Sequence, residues 1–117
     1  MGENMITVKG GYKHQRKIVT DVIDWFKYRM KLSYLLSVTV RIKPMNDCYG
    51  TCEKVNEYNY YIELHGDQTI RNFVMTLVHE LIHVKQYETN EWTGDGEDEA
   101  WGLQAELTDD LWKENII

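Results

Sequence analysis

Residues 76–87 read TLVHELIHVKQY, and this stretch determines how the rest of the chain is interpreted. Its apolar residues recur at the three- and four-residue spacing of an amphipathic helix, and the same stripe begins upstream at Ile70. We therefore predict a helix from about residue 69 to residue 87 that packs its apolar face against a core. Two histidines and a glutamate interrupt the apolar run, which indicates that they bind or react with something.

The sequence before this helix predicts one more helix and a small sheet. From residue 12 to about residue 32 the apolar residues again follow helical spacing. Residues 36–43 instead alternate between apolar and polar, which is typical of a half-buried strand. Residues 47–54 and 57–64 are two further candidate strands, and their short connections predict a small, mostly antiparallel sheet of three strands.

The remaining segments complete a single small domain. Residues 88–96 are polar and separate the central helix from a last helix, for which Asp95 is a candidate N-cap and which runs from residue 96 to about 113. Residues 1–11 end in two glycines, and we expect them to be a flexible leader. With 117 residues the chain can build one modest core. We expect the α+β class, in the order N-terminal helix, sheet, central helix and C-terminal helix.

Charge is unevenly distributed along the chain. The formal net charge is -6, yet residues 1–43 hold nine Lys and Arg against three acids. We expect this basic part to be a solvated face that pairs with the acidic remainder, and the alternative is contact with nucleic acid or an acidic partner. The acidic remainder argues against broad binding to a phosphate backbone.

The sequence also bears on the cellular compartment. No stretch approaches the roughly 18 apolar residues of a membrane span, and the first residues lack the apolar segment of a signal peptide. We therefore expect a soluble, cytoplasmic protein with no membrane partner. Cys48 and Cys52 are expected to be reduced in that compartment. The alternative for them is half of a zinc site, although no second pair of cysteines completes it.

His79 and His83 are four residues apart, so on the predicted helix they lie one turn apart on the same side. Two imidazoles in this arrangement can hold one Zn²⁺ ion and leave other positions for a third protein ligand and a water. Glu80 would reach that water from the side, as in the zinc hydrolase motif H-E-x-x-H. There it would serve as general base and then return the proton to the leaving amine. The alternative is that both histidines are hydrogen-bonded groups at the edge of the core.

A third zinc ligand should follow the helix within a short distance. The other two histidines, His14 and His65, precede the helix, whereas residues 97–99 open the next helix after a short loop. A carboxylate in the first turn of a helix that packs against the zinc helix can face the metal. Both Glu97 and Glu99 satisfy this condition.

The sequences VHELIH at residues 78–83 and EDEAWG at residues 97–102 together resemble the gluzincin pattern, in which H-E-x-x-H is followed by E-x-x-A-D or a relative. The chain is similar in particular to small single-domain SprT-like or minigluzincin metallopeptidases of phages and prokaryotes, over residues 74–107. The resemblance implies a minimal zincin fold and a zinc-dependent peptidase that acts on a peptide or protein. It assigns zinc binding to His79, His83 and Glu97, which stands three places before Ala100, and catalysis to Glu80. Glu99 remains the competitor of Glu97.

One position departs from the family pattern. Trp101 stands where many gluzincins have an Asp that orients the first histidine, so this role must fall to another group. The resemblance further implies that the strand at residues 57–64 forms the rim of the substrate cleft, where an extended peptide could add to a free edge. Aromatic candidates for a donor to the oxyanion, each with packing as the alternative role, are Tyr60, Tyr61, Tyr87 and Trp92.

The sequence as a whole predicts a zinc-dependent metallopeptidase. One alternative is an interaction module of the same fold that binds metal without useful turnover. A second alternative is a protease associated with nucleic acid, which rests on the basic N-terminal helix.

Overall fold

The computed structural model describes residues 5–92 and 94–117, which form three helices and one four-stranded sheet. In chain order the elements are β1 Ile6–Gly10, α1 Lys13–Arg29, β2 Ser37–Lys43, β3 Gly50–Asn56, β4 Asn59–His65, α2 Ile70–Thr89 and α3 Glu97–Lys113. The predicted α+β class is confirmed. Within the described ranges, no helix combines the length and the apolar character that crossing a lipid bilayer requires.

The sheet differs from the predicted one in the number, order and direction of its strands. The order is β1-β2-β4-β3, with β1 and β4 parallel to β2 and only β3 antiparallel to its neighbour. The prediction of three mostly antiparallel strands is therefore wrong, and the described chain holds a mixed sheet of four. The physical reason is pairing across long sequence separations, since parallel neighbours need a crossover, which α1 supplies between β1 and β2.

The additional strand comes from the segment that the sequence predicts to be a flexible leader. Ile6 pairs with Val38, and the register continues to Gly10 opposite Ile42. Ile6 is only 6% exposed and belongs to the core, so burial holds this strand against the sheet. Residues 1–4 of the expected leader lie outside the described residues.

A second correction concerns β4, which is an interior strand and not the free edge expected for residues 57–64. Its side chains Tyr60, Ile62 and Leu64 are buried, and β2 and β3 pair with its two sides. Most residues of β3 are exposed. The edge position is therefore taken by the strand with less apolar surface to bury.

The core lies between one face of the sheet and the helices. On β2 the residues Val38, Val40 and Ile42 are buried, whereas the residues between them are half-buried or exposed. α2 contacts both the sheet and α3. It contributes the buried apolar residues Phe73, Val74, Leu77, Val78, Leu81, Ile82 and Val84. α2 is therefore the central helix of the domain, and side chains at the border of its apolar stripe can reach α3.

Local hydrogen bonds set the first turns of α2 and α3. The side chain of Thr69 accepts a hydrogen bond from the backbone N–H of Asn72 at 3.2 Å, which caps α2. In α3 the N-cap is Gly96, one residue after the predicted Asp95. Asp95 still contributes, because its carboxylate accepts a hydrogen bond from the backbone N–H of Glu97 at 3.0 Å. This bond helps to fix the first turn of α3.

Candidate metal centre

His79 and His83 of α2 meet Glu97 of α3 at one point. Nε2 of His79 lies 3.0 Å from Oε1 of Glu97, and Nε2 of His83 lies 3.1 Å from Oε2. One candidate ligand atom from each residue lies within 4.8 Å of the other two. The histidine side chains are 12% and 13% exposed, whereas that of Glu97 is 45% exposed. The structure thus brings together the three predicted ligands, with the carboxylate on the side open to solvent.

The second ring nitrogen of each histidine is held by a glutamine. Nδ1 of His79 lies 2.7 Å from Oε1 of Gln104, and Nδ1 of His83 lies 2.8 Å from Oε1 of Gln86. An amide oxygen can only accept, so each Nδ1 carries the proton and donates it. In its neutral form each imidazole therefore keeps an Nε2 lone pair, and both lone pairs face Glu97.

The amide of Gln86 has only one orientation that satisfies its partners. Its Nε2 donates to the backbone carbonyl of Gly96 at 2.9 Å and to Oε1 of Glu99 at 2.8 Å. Both partners are acceptors, so the amide nitrogen must face them and the amide oxygen must face His83. Gln86 is 3% exposed, and its contacts therefore fix the tautomer of His83.

Three acceptors consequently face one another: the two Nε2 lone pairs and the carboxylate of Glu97. Such a group is unfavourable unless a cation lies among its members, either a proton on an imidazole or a metal ion. The spacing also suits a tetrahedral ion, because bonds of about 2.0–2.1 Å place neighbouring ligand atoms about 3.4 Å apart. His79, His83 and Glu97 could therefore hold one metal ion.

Glu99, the competitor for the third ligand position, is engaged elsewhere. Its Oε1 accepts from Gln86, and its Oε2 lies 3.5 Å from Nζ of Lys85. These contacts place its carboxylate behind Gln86, whereas Glu97 lies against both imidazoles. Glu99 thus supports the metal centre by orienting Gln86.

Glu80 borders the metal centre from α2. It is 7% exposed, and its carboxylate makes no hydrogen bond to another described residue. Burial raises the pKa of the Glu80 carboxyl, the neighbouring His79 and His83 lower that pKa, and Glu97 raises it. A nearly buried carboxyl that has a raised pKa and no hydrogen bond to another described residue is suited to take up and release a proton.

A cleft of about 940 Å³ contains the metal centre. It lies between β3 with its preceding loop on one side and α3 on the other, and α2 forms its floor. Lining residues from the first side include Gly50, Thr51 and Cys52, and those from α3 are Glu97, Trp101 and Gln104. The open edge of the sheet therefore borders the candidate metal centre.

β3 approaches α2 closely at Gly50. A Cβ at this position would lie 2.7 Å from Cγ2 of Thr76 and 3.2 Å from Oε2 of Glu80. Any larger residue would therefore push against the side chain of Glu80. The lack of a side chain at Gly50 keeps the space beside the carboxylate free.

The backbone of β3 offers hydrogen-bonding groups to the cleft. The backbone N–H of His65 donates to the carbonyl of Tyr49 at 2.8 Å. Successive residues of an antiparallel pair alternate in direction, so the backbone groups of Gly50 and Cys52 point away from β4. An extended peptide could pair with these groups.

The aromatic residues proposed as oxyanion donors occupy different places. Among them, within the described chain, only Tyr87 lines the cleft. The hydroxyls of Tyr60 and Tyr61 donate to glutamates outside the cleft. Trp92 packs edge-on against Tyr87 at a centroid distance of 5.6 Å. Trp101 also lines the cleft, with its ring 5.0 Å from that of His79.

Two residues of the centre, Gln86 and Gln104, lie outside the predicted set. Gln86 follows His83 by three residues, which places both on the same side of α2. Gln104 follows Trp101 by one helical turn and orients His79, the role that the gluzincin pattern gives to an Asp at position 101. The signal in the sequence is helical spacing, which places Gln86 on the side of α2 that carries His83 and Gln104 on the side of α3 that carries Trp101.

Cys48 and Cys52 are free thiols that line the cleft. In the part of the chain that the structure describes, the one group suited to hold a metal contains neither of them. Burial, together with the charge of Glu80, raises the pKa of the Cys52 thiol to about 12. The structure therefore gives no support to the alternative that the two cysteines form half of a zinc site.

Some basic residues of α1 are occupied within the protein. Arg29 pairs with Asp110 at 2.9 Å and with Glu114 at 3.6 Å, both from the acidic C-terminal part. Arg16 donates to the backbone carbonyls of residues 10 and 11. The contacts of Arg29 agree with the expectation that the basic part pairs with the acidic remainder, and binding of nucleic acid stays a prediction.

Comparisons with known proteins assign no family. No family model matches the chain, and neither a curated protein nor a solved structure is significantly similar to it. The resemblance to gluzincins therefore stays a hypothesis, and the function has to be argued from the geometry of the metal centre and its cleft.

Proposed function

We propose that the protein is a zinc-dependent metallopeptidase that cleaves extended segments of peptides or proteins. The observation that carries this proposal is the convergence of His79, His83 and Glu97 beside the carboxylate of Glu80, which makes no hydrogen bond with another described residue. Three facing acceptors beside a nearly buried carboxyl are unfavourable for folding unless a proton or a metal ion lies among them. Clusters of groups that are unfavourable for stability are typical of functional sites.

The ligand set favours zinc among the divalent ions. Two imidazole nitrogens and one carboxylate oxygen, with one side open to a cleft, match the ligands of catalytic zinc sites. When bound, zinc would supply the Lewis acidity that activates a water near neutral pH and polarises the scissile carbonyl. Gln86 and Gln104 would hold the two imidazole rings in the orientation that binding requires.

Glu80 would carry out the proton transfers. Its carboxylate takes a proton from the attacking water and delivers it to the nitrogen of the leaving amine. The space beside Gly50 gives water access to this carboxylate. Because Glu80 makes no hydrogen bond with another described residue, no such bond must break before it reacts.

β3 would hold the main chain of the substrate. The backbone groups of Gly50 and Cys52 face the open edge of the sheet, and both residues line the cleft. An extended peptide that adds to this edge would pass directly over Glu80. Pairing of this kind reads the peptide backbone and is only loosely selective for sequence.

Digestion of a broad peptide library by zinc-loaded protein tests the proposal. We expect cleavage by the wild type and a loss of about 10²–10⁴-fold in Glu80→Gln, which keeps the size of the side chain but cannot accept a proton. The variant should still hold one zinc. The matched control is Glu106→Gln, an exposed position of α3 outside the cleft, which should cleave as the wild type does.

Each of the other outcomes has a definite meaning. Equal cleavage by Glu80→Gln would exclude this residue as the general base. Zinc bound by a wild type that cleaves no peptide would favour the non-catalytic binding module. A chain that takes up no zinc would contradict both proposals.

A further inference from the structure

We propose that the cleft selects cationic peptides and holds their Lys or Arg side chains near Asp47 and Asp67. The inference rests on the proposed function and names the class of substrate. Nineteen described residues line the cleft, of which five are acidic and none is Lys or Arg. Even with a divalent ion bound, the negative charge of these five acidic side chains would exceed the ion's two positive charges. A cleft lined by one sign of charge concentrates ligands of the opposite sign.

Two of these acids are available to a ligand. Asp47 and Asp67 are exposed and make no ion pair or side-chain hydrogen bond with another described residue. Outside the cleft some acids have partners, as Asp21 has Lys17 and Asp109 has Arg71. Others, such as Glu57 and Glu106, make no ion pair with another described residue. What distinguishes the cleft is that its described lining combines five acidic residues with no Lys or Arg that could compensate them.

Other features of the walls also suit a cation. Glu80 is only 7% exposed, lines the cleft and makes no hydrogen bond with another described residue, so its carboxylate is open to a group of the ligand. Trp101 and Tyr49 line the same cleft and are 65% and 64% exposed. Aromatic faces attract the ammonium of Lys and the guanidinium of Arg. A cationic side chain would therefore find both carboxylates and aromatic rings.

The fold also indicates on which side of the scissile bond a Lys or Arg would be favoured. Asp47 precedes β3 by three residues and Asp67 precedes α2 by three, so both lie at the end of the cleft where these elements begin. Tyr87 lines the other end. A peptide antiparallel to β3, which is the more stable pairing per residue, would place its C-terminal part beside the two aspartates. We therefore expect Lys or Arg to be favoured on the C-terminal side of the scissile bond.

The first test compares peptides that differ only in the residues after the cleaved bond, where Lys, Gln or Glu is placed. For zinc-loaded wild type we expect kcat/KM to be about tenfold higher with Lys than with Gln, and lowest with Glu. The Lys preference should shrink between about 0.01 M and about 1 M salt, as the Debye length falls from about 30 Å to about 3 Å. Lys placed before the bond should give a smaller gain.

A pair of double variants shows whether the two aspartates cause the preference. Asp47→Asn with Asp67→Asn should bring the ratio of kcat/KM for Lys over Gln close to one. Glu57→Gln with Glu106→Gln removes the same charge from exposed positions outside the cleft, and it should leave the ratio unchanged. A ratio near one in the wild type, or an unchanged ratio in the aspartate variant, would overturn the inference.

Calorimetric binding to zinc-loaded Glu80→Gln separates this inference from the proposed function. We expect the Lys peptide to bind about tenfold more tightly than the Gln peptide. The same preference in a protein whose wild type cleaves nothing would support the selectivity and exclude the peptidase. Cleavage by the wild type together with equal affinities would retain the peptidase and exclude the selectivity.

Discussion

Nδ1 of His83 lies 2.8 Å from the amide oxygen of Gln86, and the amide nitrogen of the same glutamine donates to Gly96 and Glu99. One buried side chain therefore connects the metal-binding side of α2 to the first turn of α3. It fixes the tautomer of one candidate ligand and the position of the helix that carries another. The metal centre thus depends on an amide that is not itself a ligand.

Replacement of Gln86 by Leu should weaken zinc binding by about 10–100-fold, because His83 would lose its orienting partner. The change also leaves the carbonyl of Gly96 and the carboxylate of Glu99 without their donor, which should lower the free energy of unfolding by about 1–3 kcal/mol. Competition with a chelator measures the first effect, and chemical unfolding of the metal-free protein measures the second.

Gln104→Leu is the comparison for this variant. It should weaken zinc binding through His79 without disturbing the contacts between Gln86 and α3. Unchanged zinc affinity in both variants would show that the glutamines do not orient the ligands.

The identity of the third ligand can be tested by Glu97→Gln and Glu99→Gln. Both changes remove one negative charge from the first turn of α3, so their effects on the helix dipole are similar. Only Glu97 contacts both imidazoles, and only its variant should lose most of its zinc during dialysis. Greater loss from Glu99→Gln, measured as metal content per chain, would reverse the assignment.

Two glycines in the loop before α3 offer a matched pair of substitutions. Gly94 has φ +64° and Gly96 has φ +82°, so Ala at either position should cost about 1–2 kcal/mol in the free energy of unfolding. A Cβ at Gly96 would in addition overlap the amide of Gln86, whereas a Cβ at Gly94 would meet no atom within 4 Å. We therefore expect Gly96→Ala to be the less stable variant and the one with weakened zinc binding. Equal zinc affinities would show that the close contact between Gly96 and Gln86 does not matter.

The two thiols should react at very different rates. Cys48 is exposed, whereas burial raises the pKa of Cys52 to about 12, which leaves a thiolate fraction of about one in ten thousand at pH 8. Alkylation with iodoacetamide followed by mass spectrometry should show fast labelling of Cys48 and slow labelling of Cys52. Cys48→Ser serves as the control, because it should remove the fast phase alone.

The pH dependence of stability should report the environment of Glu80. Its pKa is raised in the folded protein, so the folded state binds this proton more tightly than the unfolded state does. The free energy of unfolding therefore falls as pH rises from about 4.3, the ordinary pKa of Glu, through the raised pKa of the folded protein. Glu80→Gln should remove this decrease in the free energy of unfolding, because Gln does not titrate.

In the presence of a chelator, wild type and Glu80→Gln should therefore be similarly stable near pH 4, and the variant should be more stable near pH 8. Denaturant unfolding at the two pH values measures the difference. Glu106→Gln, at an exposed position, should show no such pH-dependent gain. If Glu80→Gln were less stable than the wild type at pH 8, the raised pKa assigned to Glu80 would be contradicted.

The helices and the ligands are predictable because the relationships that define them are local. The apolar stripe of α2 and the four-residue spacing of His79 and His83 depend on one helix alone. Glu97 follows after a short loop, so few arrangements of α3 could keep it away from α2. The sequence left Glu97 and Glu99 both open, and the contact between Glu99 and Gln86 explains why Glu97 alone faces the rings.

The sheet could not be predicted with the same success, because its pairing joins residues that are far apart in sequence. Ile6 pairs with Val38 across the whole of α1, and β2 pairs with β4 although β3 lies between them in the chain. Short connections suggest antiparallel neighbours, and here that rule holds only for β3 and β4. Which strand takes the edge depends on how much apolar surface each strand buries, a property of the assembled fold.

All three candidate ligands lie between residues 79 and 97, on two helices that follow one another directly. Closing so short a loop costs little chain entropy, so the three candidate ligands can meet within one helical hairpin. The β3 wall of the cleft comes from a second local unit, the hairpin of β3 and β4, and is complete only when that hairpin packs against α2. Under the proposed function, the site for the ion and the surface for the substrate would therefore belong to two separate hairpins, and only their docking would make a working enzyme.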